Sequence, residues 1–297
     1  MKKPENSGAN LPIGPTRMGV QARGFGFFLI CSALFAACGA NGVSNHAKSR
    51  AQEPEASSPA SKSALKSASK SASKNVSLTV SVASSAALAV TRIANGFENT
   101  NKGVRVVINS GPSNALASQV SSGAEVDVLL SADTATLSGL IAEKRISRPL
   151  IFARNQMTLA VSPSAAEIKR LSDLTNAGVV ALCGESVPCG RYAKRVLARA
   201  GVTIKESQIT RGTDAASTLG AVRFGDADAA IVYETDARAA GKSVLTRRIA
   251  ERFNEVSEYP ATVVLASKHM KEAKAFVRYL KTPSAKRVLL RVGFSTP

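Results

Sequence analysis

The 297-residue chain has no tryptophan, only 4 tyrosines and 10 phenylalanines, and aromatic residues make up 5% of it. Proteins that hold single-stranded nucleic acid stack its bases on aromatic rings. The formal charge of +18 therefore lacks the companion that nucleic-acid binding calls for, and the Lys and Arg, scattered at surface-like helix positions, read as solvated faces. Histidine is scarce too: His46 and His269 are the 2 in the chain. Neither lies near a cysteine pair, so a zinc site is not indicated. A serine or cysteine hydrolase needs a base beside its nucleophile, and His269 is the sole histidine in the part that reads as folded. G-x-S-x-G, P-loop and H-E-x-x-H patterns are missing as well. These absences argue against an enzyme and against a resident metal or organic cofactor.

Long apolar runs are also wanting. The longest, "FGFFLICSALFAAC", has 14 residues, too few for a comfortable membrane span. It follows the basic residues Lys2, Lys3, Arg17 and Arg23, so residues 1–38 read as an export signal; Met18 is an alternative start. The run ends in "LFAAC", which resembles the lipobox of bacterial lipoproteins, with Phe35 where leucine is usual. That resemblance implies lipidation of Cys38 and attachment to a membrane; plain cleavage near Ala37 is the alternative. Residues 39–74 are Ser/Ala/Lys-rich with a "SASK" echo and no large apolar side chains, the composition of a disordered tether. The 4 cysteines divide between Cys31 and Cys38 in the export region and Cys183 and Cys189 in "CGESVPCG". An oxidising compartment permits a Cys183–Cys189 disulfide.

From Val76 onward strands and helices alternate. "VSLTVSV" reads as a strand, and Ala86, Ala89, Val90, Ile93 and Phe97 then recur on one helical face. "GVRVVI", "EVDVLLSA", "QMTLAVS", "GVVALC", "DAAIVY" and "ATVVLAS" read as further strands. Helices are expected near 113–122, 133–144 and 214–224, on the face Ala193, Val196, Leu197 and Ala200, and on two faces near the C-terminus. Gly201 reads as a helix stop, and Thr282-Pro283 as a helix start. Such alternation predicts an α/β chain with parallel sheets.

Ligands of parallel α/β sheets bind at the carboxyl ends of the strands. The informative junctions are "SVASSA", "INSGPSNA", "ESVPCGRYA" and "RGTDAAST", with the strand end "IVYETDA". Each offers small or hydroxyl residues and helix-start N–H groups that no helical carbonyl uses. With the helix dipole, these form an anion site without Lys or Arg. A lone Ser before a helix is ordinarily a cap, so no single junction decides the matter.

The ordered set decides more. "TVSVASSAALAV", "SNALASQVSSGAEVDVLLSAD", "VPCGRYAKRVLARAG", "GAVRFGDADAAIVYETDA", "EYPATVV" and "AFVRYLKTPSAKRVLLRVGF" together resemble the periplasmic molybdate-binding proteins of ABC importers, from Leu78 to Phe294. Glu125 stands where that family usually has proline, and Cys189 where it usually has alanine. The resemblance implies a two-lobe periplasmic-binding-protein fold of type II, with a mainly parallel sheet flanked by helices in each lobe. Lobe 1 would comprise residues 75–156 and 259–297, and lobe 2 residues 157–258, with crossings near Gln156 and Tyr259. It implies oxyanion contacts at Ser85, Ser113, Cys189, Ala215 and Tyr233, Ser84 being the alternative to Ser85, and Asp214 close enough to keep carboxylate coordination open. Molybdenum would be present only within the bound molybdate, with tungstate as its near twin. The implied partner is an ABC permease, and the protein would be a monomer outside the cytoplasm, in the periplasm or at the cell surface. The alternatives are another oxyanion such as sulfate, or a lipoprotein with a surface-binding role outside transport.

Overall fold

The computed structural model describes residues 75–297. The export signal, Cys38 and the tether lie outside the described residues. Among the described residues no helix is long and apolar enough to cross a membrane.

The chain opens with β1 (Val76–Ala83), a 3-10 turn at Ser84–Ala86, α1 (Ala87–Thr100), β2 (Val104–Gly111), α2 (Ser113–Ser121), β3 (Val128–Leu130) and α3 (Ser138–Ala142). The long β4 (Leu150–Val161) leads to β5 (Val180–Cys183), α4 (Pro188–Ala200), β6 (Ile209–Gly212), α5 (Ala215–Phe224), β7 (Ala229–Tyr233), α6 (Glu234–Ala240) and β8 (Leu245–Arg248). It closes with β9 (Val256–Val263), α7 (Met270–Tyr279) and α8 (Pro283–Val292).

The strands run in the order β2-β1-β3-β9-β4-β7-β5-β6, with β8 also paired to β4. β1 is parallel to both β2 and β3, and β5 is parallel to both β6 and β7. The two parallel trios are joined by antiparallel pairs through β9 and β4. Residues 150–156 of β4 pair with β9, and residues 157–161 pair with β7 and β8. One strand thus serves both parts of the sheet and changes partners between Gln156 and Met157.

Helix faces pack as their periodicity demands. Ala89, Val90, Ile93, Ala94 and Phe97 are the buried stripe of α1. Phe97 meets Phe276 of α7 edge-on at 5.2 Å and Tyr279 at 5.4 Å. A buried side chain of this kind contributes about 1.5–3 kcal/mol. Left-handed glycines stop α4, α5 and α8 at Gly201, Gly225 and Gly293. Thr282 caps α8 by accepting from the Ala285 N–H at 3.3 Å.

Some elements differ from the sequence expectation. The last strand occupies Val256–Val263 rather than beginning after Pro260, because the irregularity of β4 between Ile151 and Ala153 accommodates that proline. Proline inside a sheet is tolerated at such breaks in register. The helix expected over 133–144 shortens to a 3-10 turn and five residues of α3. The short β6, β8 and α6 carried too little apolar pattern to be read.

Gly190 is fixed by close approach. A Cβ there would stand 2.0 Å from the Gly184 carbonyl oxygen. Gly190→Ala is expected to cost about 1–3 kcal/mol by overpacking. The check is a lower urea midpoint with an unchanged slope.

Candidate functional site

All five residues singled out in the sequence line one cleft, together with Ser84, Gly111, Pro112 and Asp214. Each sits at the carboxyl end of a parallel strand. Ser85 follows β1, Ser113 begins α2 after β2, Cys189 lies in the first turn of α4 after β5, Ala215 begins α5 after β6, and Tyr233 ends β7. The cavity is about 10 Å³, roughly the room one water-sized sphere takes. No lysine or arginine lines it.

The donors there are unspent for a local reason. The residues preceding the Ser84–Ala86 turn, α2 and α4 are Ala83, Pro112 and Val187, and none makes a side-chain cap bond. Apart from the Ala115 N–H, which donates to Asn114 Oδ1 at 2.9 Å, the first-turn N–H groups keep their hydrogen-bonding capacity, and the helix dipoles add positive potential. α5 is the exception. Asp214 accepts from the Ser217 N–H at 2.8 Å, and its own N–H donates to Ser217 Oγ at 3.1 Å. A carboxylate oxygen of Asp214 is thus engaged in capping its own helix.

The hydroxyls are oriented from behind. Ser113 Oγ accepts from the Ala132 N–H at 3.1 Å, which leaves its own proton to give. Ser85 Oγ lies 2.8 Å from Tyr259 Oη. Asn155 Nδ2 stands 3.5 Å from the same phenol and donates to Thr235 Oγ1 at 2.8 Å. An amide donating to Tyr259 turns the phenol proton toward Ser85, and so turns the Ser85 proton outward. Ser85 is 8% exposed and Ser113 3%.

Tyr233 is the sharpest feature. It is fully buried, and its Oη has no hydrogen-bond partner. Its ring is held edge-on between Tyr192 at 6.3 Å and Tyr259 at 5.8 Å. Burial pushes the phenol well above its ordinary pKa, so it carries its proton at neutral pH. A buried donor left unpaired costs about 1–3 kcal/mol.

Cys183 and Cys189 are joined by a disulfide with Cα atoms 5.8 Å apart. It ties the end of β5 to the first turn of α4, and Thr218 Oγ1 donates to Cys183 Sγ at 3.3 Å. The backbone of Cys189 is thereby held from both sides.

Sequence reasoning missed the supports. Tyr259 and Asn155 orient Ser85, and "EYPATVV" held the only hint of the former. It also missed Asp236 on α6, whose Oδ2 is buried without a partner. Burial chiefly, and the negative charge of Asp214, raise that carboxyl from 3.8 to about 7.

A wider groove of about 490 Å³ holds Asp127 and His269. Asp127 accepts from Thr79 N–H at 2.7 Å and from Ser267 Oγ at 2.6 Å, and His269 Nδ1 lies 3.4 Å from it. The serine there bonds the carboxylate rather than the imidazole, which is not the order a hydrolytic triad needs.

Residues 78–295 match the family model of the bacterial extracellular solute-binding proteins. A molybdate-binding protein of Mycobacterium tuberculosis is 32% identical over 216 residues, covering 70% of this chain and 80% of that protein. A putative ABC transporter substrate-binding lipoprotein of Bacillus subtilis is 32% identical over 218 residues, covering 71% and 83%. Among solved structures, the substrate-binding domain of a putative molybdenum ABC transporter from Clostridium difficile aligns with a TM-score of 0.59 at 25% identity, over 75% of this chain and 99% of that one. The periplasmic molybdate-binding protein of Azotobacter vinelandii aligns at 0.65 with 21% identity, over 74% and 99%, a likeness of fold.

Two measurements test the supports. Replacing both Cys183 and Cys189 by serine opens a short loop and is expected to cost about 2 kcal/mol. Denaturant titration reads it, and reductant should bring the parent protein to the same midpoint. Asp236 binds its proton more tightly in the folded than in the unfolded chain. Its contribution to stability is therefore full below pH 3.8 and is lost as pH rises to about 7, by at most about 1.4 kcal/mol per pH unit. Asp236→Asn should remove that part of the slope in melts taken between pH 4 and pH 7.

Proposed function

The chain belongs to the bacterial extracellular solute-binding protein family, and from that premise we propose that it captures molybdate or tungstate and delivers it to the permease of an ABC importer. The observation that carries this reading is the buried Tyr233 Oη without a partner, facing a cleft with donors at Ser85, Ser113, Cys189 and Ala215. A tetrahedral dianion leaving water needs each oxygen bonded. Hydroxyl and backbone donors meet that need in fixed directions, and fixed directions favour a ligand of one size. An anion that keeps a proton, such as hydrogen phosphate, needs an acceptor, and one oxygen of the Asp214 carboxylate, Oδ1, is engaged with the Ser217 N–H.

In this reading Ser85, Ser113 and Tyr233 give O–H groups, and Cys189 and Ala215 give backbone N–H groups. Residues 75–156 and 259–297 form one lobe and residues 157–258 the other. The change of partners along β4 between Gln156 and Met157 supports a hinge there, and closing about it would be a small rotation. No bond of the ligand is made or broken, so the work is capture and release rather than catalysis. Lipidation at Cys38, with residues 39–74 as tether, would keep the monomeric protein near the permease.

The test is thermal unfolding with molybdate, tungstate and sulfate. Molybdate at 100 times its Kd is expected to add about 2.7 kcal/mol of stability, tungstate the same, and sulfate little. Tyr233→Phe should weaken molybdate binding about tenfold, one lost hydrogen bond, while leaving the ligand-free protein as stable as before or more so. A molybdate-indifferent parent protein, or a phenylalanine variant that binds as well as the parent, overturns this assignment.

A further inference from the structure

α7 carries a bare stripe of positive charge. Lys271, Lys274 and Arg278 recur at i, i+3 and i+7, within about 60° of one another around a helix of 3.6 residues per turn. Lys281 follows just past the helix end. All four are exposed, and the opposite face of the helix buries Ala273 and Phe276. Glu272, the one acid of α7, stands about 100° around the helix from Lys271. Among the described residues none of the four cations has an ion-pair partner, whereas Arg145, Arg154, Arg191, Arg195 and Arg211 each have one. The acids nearest α7 are engaged elsewhere. Glu125 meets Lys268, Asp127 accepts from the Thr79 N–H and from Ser267 Oγ, and Glu98 accepts from the Val106 N–H at 2.6 Å.

The stripe lies at the end of the sheet opposite the cleft. α7 starts after His269, whose Nδ1 stands 3.4 Å from Asp127, the residue that leads into β3. It finishes with Tyr279 against Phe97, near the last turn of α1. β1 enters at the same end, where the Val76 N–H donates to the Gly103 carbonyl at 2.7 Å. The chain before Asn75 therefore joins the fold beside α7, while Ser85 and Ser113 follow the far ends of β1 and β2. Residues 39–74 contain six Lys/Arg against two Glu. They carry the sign of the stripe and cannot neutralise it, and a second copy would meet it with the same charge. We propose that the exposed face of α7 docks on an anionic phospholipid surface, holding the protein with its cleft turned away from the membrane. The stripe offers no exposed aromatic ring on which nucleic-acid bases could stack, and a basic helix face suits a charged membrane. A single acyl chain holds a membrane only marginally, and a basic cluster is the second signal that makes the hold stable. Lipidation at Cys38, as proposed above, would bring this face to its surface, and the charge acts without it.

The test is sedimentation of the full-length, unlipidated chain with vesicles of phosphatidylcholine, alone or with about one-third phosphatidylglycerol. Each cation near an anionic surface contributes roughly fivefold to partitioning. The parent protein should sediment with the anionic vesicles alone, and added salt should release it. Lys271→Gln, Lys274→Gln, Arg278→Gln and Lys281→Gln combined should lower partitioning at least about a hundredfold. Changing the exposed Lys169, Lys205, Lys242 and Arg248 to glutamine removes the same net charge, and should alter partitioning by less than about threefold, since those charges stand beyond the screening length. Equal losses in the two variants would assign binding to net charge and overturn the docking face. A parent that ignores anionic vesicles, or prefers duplex DNA at equal phosphate concentration, overturns it too. Lysine acetylation of the parent protein, read by mass spectrometry, needs no variant. Anionic vesicles should shield Lys271, Lys274 and Lys281 and leave Lys169 and Lys205 reactive; the reverse pattern, or no shielding, rejects the orientation. Molybdate is absent from every arm, so failure here leaves the capture reading standing.

Discussion

The structure turns on unspent hydrogen-bond donors at the starts of helices. Every helix leaves its first N–H groups without an internal partner, and most folds satisfy them with a polar cap or with water. Ala83, Pro112 and Val187 offer no such cap here, so three chain turns bring open donors to one cleft. Buried groups of this kind are completed by ordered water or by a ligand. The ordered strands, the disulfide and the glycine at position 190 all serve to hold those donors still.

The scarce aromatics are concentrated behind the same place. Tyr192, Tyr233, Tyr259 and Phe294 form one edge-to-face chain, with Tyr233 to Tyr259 at 5.8 Å and Tyr259 to Phe294 at 5.2 Å. Three of the chain's 4 tyrosines are spent there. Aromatic rings are stiff, and edge-on contacts have preferred angles. A floor of this kind orients two phenols more closely than flexible aliphatic side chains would. Tyr259 is hydrogen-bonded to Ser85, and the Tyr233 hydroxyl stays without a partner.

Much of this was legible in the sequence. The stripe Ala89, Val90, Ile93 and Phe97 announced α1, the small uncharged residues before Ser113 marked a strand-to-helix junction, and Tyr233 was singled out by the resemblance to the molybdate-binding proteins. The five candidate residues share one cleft because parallel strands place their carboxyl ends on one edge. What could not be read were contacts between distant segments. Nothing local to Arg191 points to Asp133, 58 positions away, and nothing near Asn155 points to Thr235. The strand at Val256–Val263 was misplaced because Pro260 breaks a strand pattern locally, while the break in β4 that excuses it lies a hundred residues earlier.

The partner exchange along β4 has one further consequence. Successive side chains of a strand point to opposite faces, so its phase is inherited by everything paired to it. Because residues 153–161 run without a register shift from one part of the sheet into the other, a single inserted residue between Gln156 and Met157 would swap inside for outside in one part relative to the other. The two parts are therefore locked in parity. Neither can be lengthened by one residue at that seam without turning its faces over relative to the other.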